Sequence, residues 1–287
     1  MTSPSSVAAG PASPFASDAP SDAATRPSCA APSPSLPESS SASPAAPCSA
    51  PSSRALRLIH LDDDLAVVDK PAGLLVHRTA IDAHEEDAAL QRLRDQLGRP
   101  VWPAHRLDRG TSGVLVFALS AAVASLLGHA LAERRTHKRY LALVRGWPMT
   151  EAGVVDHPLA RDPELPSAGQ PRLEAQTEWA CLRRIELPVV TDPRFPTTRL
   201  SALACEPVQG RRHQIRRHLK HIAHPIVGDA NHGKGPLNRT LAAHLGLQRL
   251  WLHAQQLTLT HPISGVTLTL EASPGPEWRR FLGPVAD

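Results

Sequence analysis

The sequence predicts an α+β domain with a mainly antiparallel, mixed sheet and flanking helices. Three observations carry this. Strand and helix patterns do not alternate regularly, which argues against a doubly wound parallel sheet. Gln256 to Thr260 and Val266 to Leu270 read as a hairpin across His261-Pro-Ile-Ser-Gly265, the local pairing expected of antiparallel strands. The helical stripes are few and lie between strand runs.

Residues 1–54 contain 16 Ser and 11 Pro, and their apolar residues are mostly Ala. Such a segment cannot bury enough surface to offset its ordering entropy, so a disordered tail is predicted. It lacks the basic start and apolar run of a secretory signal. Arg26 and Arg54 are too few for a typical transit peptide. Folding is therefore assigned to residues 55–287, enough for a sizeable core. Deleting residues 1–54 is expected to leave melting temperature and turnover nearly unchanged.

Leu65 to Asp69 reads as a buried strand, stopped by a turn at Lys70-Pro71-Ala72-Gly73. Leu74 to Val76 resumes extended structure. His84 to Leu97 reads as a helix with Glu85, Glu86 and Asp87 in its first turn and Leu90, Leu93 and Leu97 on one stripe. Val114 to Leu119 is apolar throughout, a strand buried on both faces. Ser120 caps a helix running to about Arg135, with Leu126, Leu127, Ala130 and Leu131 inside. Tyr140 to Val144, Glu178 to Glu186 and Thr198 to Cys205 are further strands. Arg211 to His221 is a basic helix with Ile215, Leu219 and Ile222 inward.

The formal charge is +4, and the tail's two basic and three acidic residues leave about +5 on the folded part. The excess is clustered at Arg134, Arg135, His137, Lys138 and Arg139, and again from Arg211 to His221. Such clustering is the footprint of a phosphate-bearing partner. Aromatics make up 3% of the chain, too few for a general single-strand binder that stacks successive bases. No apolar run approaches the ~20 residues of a membrane span. Cys29, Cys48, Cys181 and Cys205 form no CxxC pair, so a reducing, cytoplasmic setting is expected.

The most informative segment is His105-Arg-Leu-Asp-Arg-Gly-Thr-Ser-Gly113. It sets Asp108 between two guanidinium groups on a turn that feeds a buried strand. A charged carboxylate placed there can act as nucleophile or base. With Asp69-Lys-Pro-Ala-Gly73, Lys138-Arg-Tyr-Leu-Ala-Leu-Val-Arg-Gly146 and Gly210-Arg-Arg-His-Gln-Ile-Arg-Arg-His218, the segment resembles the RluA-type family of RNA pseudouridine synthases, over nearly all of the chain from Leu58 to Trp278. His224-Pro-Ile-Val-Gly-Asp-Ala-Asn-His-Gly233 and Leu252-His-Ala254 resemble, within that family, the branch that modifies uridine 65 in the T-stem of tRNA.

The resemblance implies a pseudouridine synthase fold and an isomerase that needs no cofactor. It implies that Asp108 is the catalytic carboxylate and that Arg216 pairs with it. Tyr140 would lie against the uracil and help with the proton removed from C5, Arg106 would fill the place of the extruded base, and Leu252 would flank the uracil pocket. A uridine within a stem must leave the stack before it can react. The expected partner is tRNA, met by a monomer away from any membrane. Lys70-Pro71 reads as structural, positioning the pocket wall, and His105 as a support of the turn through a ring hydrogen bond. His213, His218, His221 and His224 crowd one segment without an HExxH pattern or a Cys partner, so no metal is expected. Two other readings stay open: the same chemistry on ribosomal RNA, and an inactive RNA-binding protein of this fold.

Overall fold

A strand that is apolar at every position needs cover on both faces. In the computed structural model, which describes residues 54–77, 87–133 and 135–283, Ser112–Ala118 is such a strand, with all seven residues buried. The elements run β1 (Arg57–Leu61), β2 (Leu65–Lys70), α1 (Ala89–Leu97), β3 (Trp102–Pro103), β4 (Ser112–Ala118), α2 (Ala121–Ala132) and β5 (Thr136–Arg145). There follow β6 (Ala152–Asp156), β7 (Leu159–Ala160), β8 (Arg172–Leu173), β9 (Gln176–Leu187), β10 (Thr198–Pro207) and α3 (Gln214–His221). The chain closes with α4 (Gly235–Leu245), β11 (Leu252–Thr260), β12 (Thr267–Glu271) and α5 (Arg279–Leu282). The tail assigned to residues 1–54 lies, apart from Arg54, outside the described residues.

Ten strands form one sheet in the order β1-β2-β4-β11-β5-β10-β9-β6, with β12 added to β11 and β3 to β4. Every pairing is antiparallel except β11 with β4, where His253 and Ala254 face Ser112 and Gly113. The α+β architecture thus follows the pattern read from sequence. Alternate side chains of β4 enter two cores. Leu115 and Phe117 meet Val68, Leu74 and Leu93 on one face; Val114 and Val116 meet Val123, Leu127, Leu257 and Leu270 on the other. A third core holds Trp251 edge-on to Trp278 and Phe281, with ring centroids 5.2 and 4.9 Å away.

The parallel junction depends on one glycine. Gly113 has φ +111°, and a Cβ there would stand 2.1 Å from the Ala254 carbonyl oxygen. Only a residue without a side chain lets β4 and β11 approach so closely. The same junction is tied by Ser112. Its Oγ accepts from Arg249 Nη2 at 2.7 Å and lies 2.9 Å from His253 Nδ1, while His253 Nε2 lies 2.9 Å from Ala272 O. A ring that donates Nε2–H to a carbonyl leaves Nδ1 to accept the hydroxyl proton, so the three side chains form one directed chain.

Four local expectations are corrected. α1 starts at Ala89 with no acidic residue in its first turn. Asp87 precedes it and accepts from Arg92 Nε at 2.6 Å, and Glu85 and Glu86 lie outside the described residues. An ion pair across the helix start takes the place of acidic residues inside it. Leu74 to Val76 makes one bridge, Leu75 with Ala88, and no strand, because its carbonyls are taken by Lys70 Nζ and by the Ala89 and Leu90 N–H groups at the start of α1. In α2, capped by Ser120 Oγ on Val123 N–H as expected, the buried residues are Val123 and Leu127, whereas Leu126 is 46% exposed. The helix ends at Ala132, so its inner stripe is narrower than the sequence suggests. The strands read as Tyr140–Val144, Glu178–Glu186 and Thr198–Cys205 all run longer than expected.

Candidate active site

Asp108 sits on a tight turn closed by Thr111 N–H on its own carbonyl at 3.0 Å. The turn is held from below by Lys70, whose fully buried Nζ donates to Leu74 O at 2.7 Å, Pro71 O at 3.0 Å and Arg109 O at 3.2 Å. Three carbonyls match the three donors of an ammonium group. Burial nevertheless pushes the amine down to about 7, with the Asp108 charge opposing the shift. His105 Nε2 accepts Val116 N–H at 3.2 Å, and burial holds that ring neutral, near 4. Lys70 thus braces the turn directly, whereas His105, expected to support the turn, ties the residues before it to β4.

Asp108 Oδ2 accepts from Arg216 Nη1 at 2.8 Å. Arg216 is 6% exposed and is held on its other edge by a residue that sequence reasoning missed. Asp229 takes Arg216 Nε and Nη2 in a two-pronged contact, both at 2.8 Å. Asp229 also accepts the backbone N–H groups of Asn231 and His232, at 3.0 and 2.9 Å. Burial works against the Arg216 charge, but the hydrogen bonds and charges of Asp229, and then Asp108, outweigh it and keep the guanidinium protonated. For Asp229 burial likewise raises the pKa, yet Arg216 wins and the carboxyl lies below its usual range. Such a planar fork fixes the orientation of both carboxylates. Gly228 makes the Asp229 loop possible: its φ is +78°, and a Cβ would stand 1.7 Å from Arg249 O. The available signal was a lone carboxylate one glycine after the apolar run Pro225-Ile-Val, a place where burial calls for a cationic partner.

Around this pair opens a cavity of about 500 Å³. Arg106, Asp108, Tyr140, Arg216 and Leu252, the five site residues expected from sequence, all line it. Arg106 is exposed at the mouth, and Leu252 is 4% exposed on β11. Tyr140, on β5, has its phenol pushed up by burial and by the Asp108 charge. Lys138, two residues earlier, lines the same wall, as do Gln209 and His213.

The second basic cluster is less open than its sequence suggests. A helix buries every third or fourth residue, so Gln214, Ile215, Arg216, His218 and Leu219 of α3 face inward. His218 is bound by Thr177 Oγ1 at 2.9 Å and His157 O at 3.0 Å. His224 Nδ1 lies 2.8 Å from Arg145 O, and His221 stacks on His157 at 3.9 Å. Arg212 is held by Asp162 and Glu164. Of the first cluster, Arg134 lies outside the described residues.

Among the described residues one group of donors could close on an ion: Asp62, Asp64 and His261, whose ligand atoms lie within 4.8 Å. His261 Nδ1 already accepts Ile263 N–H and Ser264 N–H, at 3.2 and 3.1 Å. Its proton is therefore on Nε2, which faces Asp62 Oδ2 at 3.3 Å. The His261 ring thus has no lone pair left for an ion, and its Nε2–H ties the β11–β12 turn to Asp62.

Comparison with known proteins decides the family. Residues 64–221 match the family described as RNA pseudouridylate synthase. This chain belongs to the RNA pseudouridylate synthase family. Like the family, it is an RNA pseudouridine synthase, an isomerase. It is 44% identical over 234 residues to the tRNA pseudouridine synthase C of Pasteurella multocida, covering 78% of this chain and 93% of that one. With the tRNA pseudouridine synthase C of Vibrio cholerae the identity is 43% over 232 residues, covering 79% and 94%. Among solved structures, human RNA Pseudouridylate Synthase Domain Containing 1 matches with a TM-score of 0.61 at 25% identity, over 79% of this chain and 86% of that chain. No helix among the described residues is long and apolar enough to cross a membrane.

Proposed function

We propose that this synthase isomerises one uridine of tRNA, position 65 in the T-stem, with Asp108 as its catalytic carboxylate. The reaction breaks the N1–C1′ bond and forms a C5–C1′ bond; a proton leaves C5 and one is taken up at N1. The observation that carries the reading is the joint presence of the Asp108 carboxylate, its Arg216 partner and the Tyr140 ring on one open cavity. Arg216 holds one carboxylate oxygen and leaves the other facing the cavity. Tyr140 offers a flat face to an extruded uracil, Leu252 an apolar wall, and Arg106 a long side chain to occupy the vacated stack. The tRNA substrate is supported by the two relatives at 43–44% identity. The position within the T-stem rests on the resemblance of the segment from His224 to Ala254.

Pseudouridine mapping of total tRNA from cells with and without the gene tests the reading. Loss of pseudouridine at position 65 is the expected result. Loss at a ribosomal site with tRNA unchanged would replace the substrate.

Arg106, Lys138 and Arg211 at the cavity provide cations for the RNA backbone. tRNA affinity is therefore expected to fall with salt, by roughly 10³-fold between about 50 and 200 mM if about six phosphates are neutralised. A titration series with no salt dependence would contradict a basic docking surface.

A further inference from the structure

Lys138 stands apart from the other cations of the cavity. It lies on β5 two residues before Tyr140, so both side chains leave the same face of the sheet, and both line the cavity. Its Nζ stands beside the loop that leads into α3: a Cβ added to Gly210 would lie 3.8 Å from it. On the other side is His105, whose ring feels the Lys138 charge. The ammonium therefore faces the gap between the segment before the Asp108 turn and the loop before α3.

The neighbouring guanidinium groups are already engaged. Arg216 is gripped by Asp108 and Asp229, Arg212 by Asp162 and Glu164, and Arg211 Nε donates to Glu174 O at 3.0 Å. Among the described residues, no carboxylate or carbonyl accepts from Lys138 Nζ. Glu206, on the adjacent strand β10, points to the opposite face: Tyr140 pairs with Cys205, and Glu206 Oε2 meets His137 Nε2 at 3.0 Å. Burial alone acts on the Lys138 amine and lowers its pKa. A desolvated ammonium without an acceptor is costly, and a ligand carrying anionic oxygens would offset that cost.

Depth along β5 indicates which part of a nucleotide meets this group. Leu141 to Val144 are buried, Tyr140 and Lys138 are half-buried, and His137 is exposed. The strand thus rises towards solvent from Tyr140 to Lys138. The Asp108 charge reaches Tyr140, whereas burial alone acts on Lys138. From the depth of the cavity outward, the order is Asp108 with Tyr140 and Leu252, then Lys138. Two residues of strand span about 7 Å, a separation comparable to that between a base and its own backbone phosphate. With the uracil against Tyr140 and its sugar at Asp108, the phosphate oxygens are the acceptors left for Lys138.

We propose that Lys138 is a positioning residue whose ammonium grips a phosphate flanking the extruded uridine and so fixes the nucleotide for reaction at Asp108. The grip rests on the reading of Asp108 given above. Lysine meets phosphate as a point charge, so the contact needs no fixed fork. It forms once the nucleotide has left the stack and entered the cavity, and it therefore stabilises the extruded state. Removing it slows reaction of the bound complex more than it weakens binding.

Lys138→Met in the full chain is the test, because it removes the charge and keeps a long side chain. The substrate is a stem-loop RNA carrying the uridine that the parent modifies. Single-turnover isomerisation at saturating enzyme is expected to fall about 30-fold, with the dissociation constant changed by less than about threefold. Lys138→Arg, which keeps a charge, is expected to recover most of the rate. An uncharged methylphosphonate linkage is then placed in turn on the 5′ and 3′ sides of the uridine. One of the two is expected to slow the parent about 30-fold but to slow Lys138→Met by less than about threefold further, the non-additivity of groups in direct contact. A residue that only shapes the wall would give additive losses. Additive losses at both linkages overturn the grip, as does a methionine variant within about threefold of the parent. A slow methionine variant beside a parent indifferent to both linkages overturns it too, and moves the ammonium from the backbone to the base. Asp108→Asn separates the two readings. If it is inactive while the losses are additive, the grip alone fails; if it is active, the assignment of Asp108 fails.

Discussion

Asp108→Asn is expected to lower isomerisation by at least about 10³-fold while tRNA binding and the melting temperature stay close to those of the parent. The side chain is 25% exposed and makes its one strong contact through Oδ2 to Arg216 Nη1. Asparagine keeps that shape, and its carbonyl oxygen can still accept from Arg216. Arg216 also retains both prongs of Asp229, so no buried charge is left unpaired. What is lost is the negative charge and the free oxygen facing the cavity, the two features that a nucleophile or base needs. Tritium release from tRNA carrying 5-³H-uridine measures the chemistry, and filter binding measures affinity. Parental release from the variant would remove Asp108 from the reaction.

The Asp108 turn was legible because its signals are local. Asp108, the turn residues after it and the apolar strand that follows lie within a dozen positions, and each carries its own signal. β4 was legible for the same reason: an uninterrupted apolar run needs two covered faces, and it has them. What failed depends on where the chain returns. Leu126 lies on a helix whose covered stripe is set by the width of the sheet beneath, which no local pattern records. α1 begins late because Asp87 reaches forward to Arg92 instead of serving inside the first turn. The basic helix reads as a charged surface, but Arg216 and His218 are buried by partners drawn from β9, the Asp108 turn and the Asp229 loop. The pocket itself is assembled by the parallel β4–β11 junction, which brings Leu252 and Asp108 to one cavity across a long stretch of sequence. Gly113 makes that approach possible, and its need for positive φ becomes visible only once its neighbour is known.

Asp229→Ala is expected to damage both stability and chemistry, and the two effects have different origins. Asp229 has no exposed side-chain surface, and its carboxylate answers four donors: two from Arg216 and the N–H groups of Asn231 and His232. Removing one partner of a buried ion pair costs about 3–5 kcal/mol, because the remaining charge stays desolvated. For a domain of this size, that lowers the melting temperature by on the order of 10 °C. The pH dependence has a definite sign. The Asp229 carboxyl lies below its ordinary value in the folded chain, so its contribution is present above the unfolded value and is lost as pH falls through the folded one. The stability gap between parent and variant should therefore narrow in acid. The chemical effect follows from orientation. Without the two-pronged contact Arg216 is free to rotate towards Asp108 and cover the oxygen that faces the cavity, so kcat should fall while KM for tRNA changes little. Thermal melts across acid pH, together with steady-state kinetics, check both effects. An unshifted melting point with kcat intact would mean that Asp108 alone neutralises Arg216 and that the second carboxylate is dispensable. A lower melting point with kcat intact would confine Asp229 to the fold.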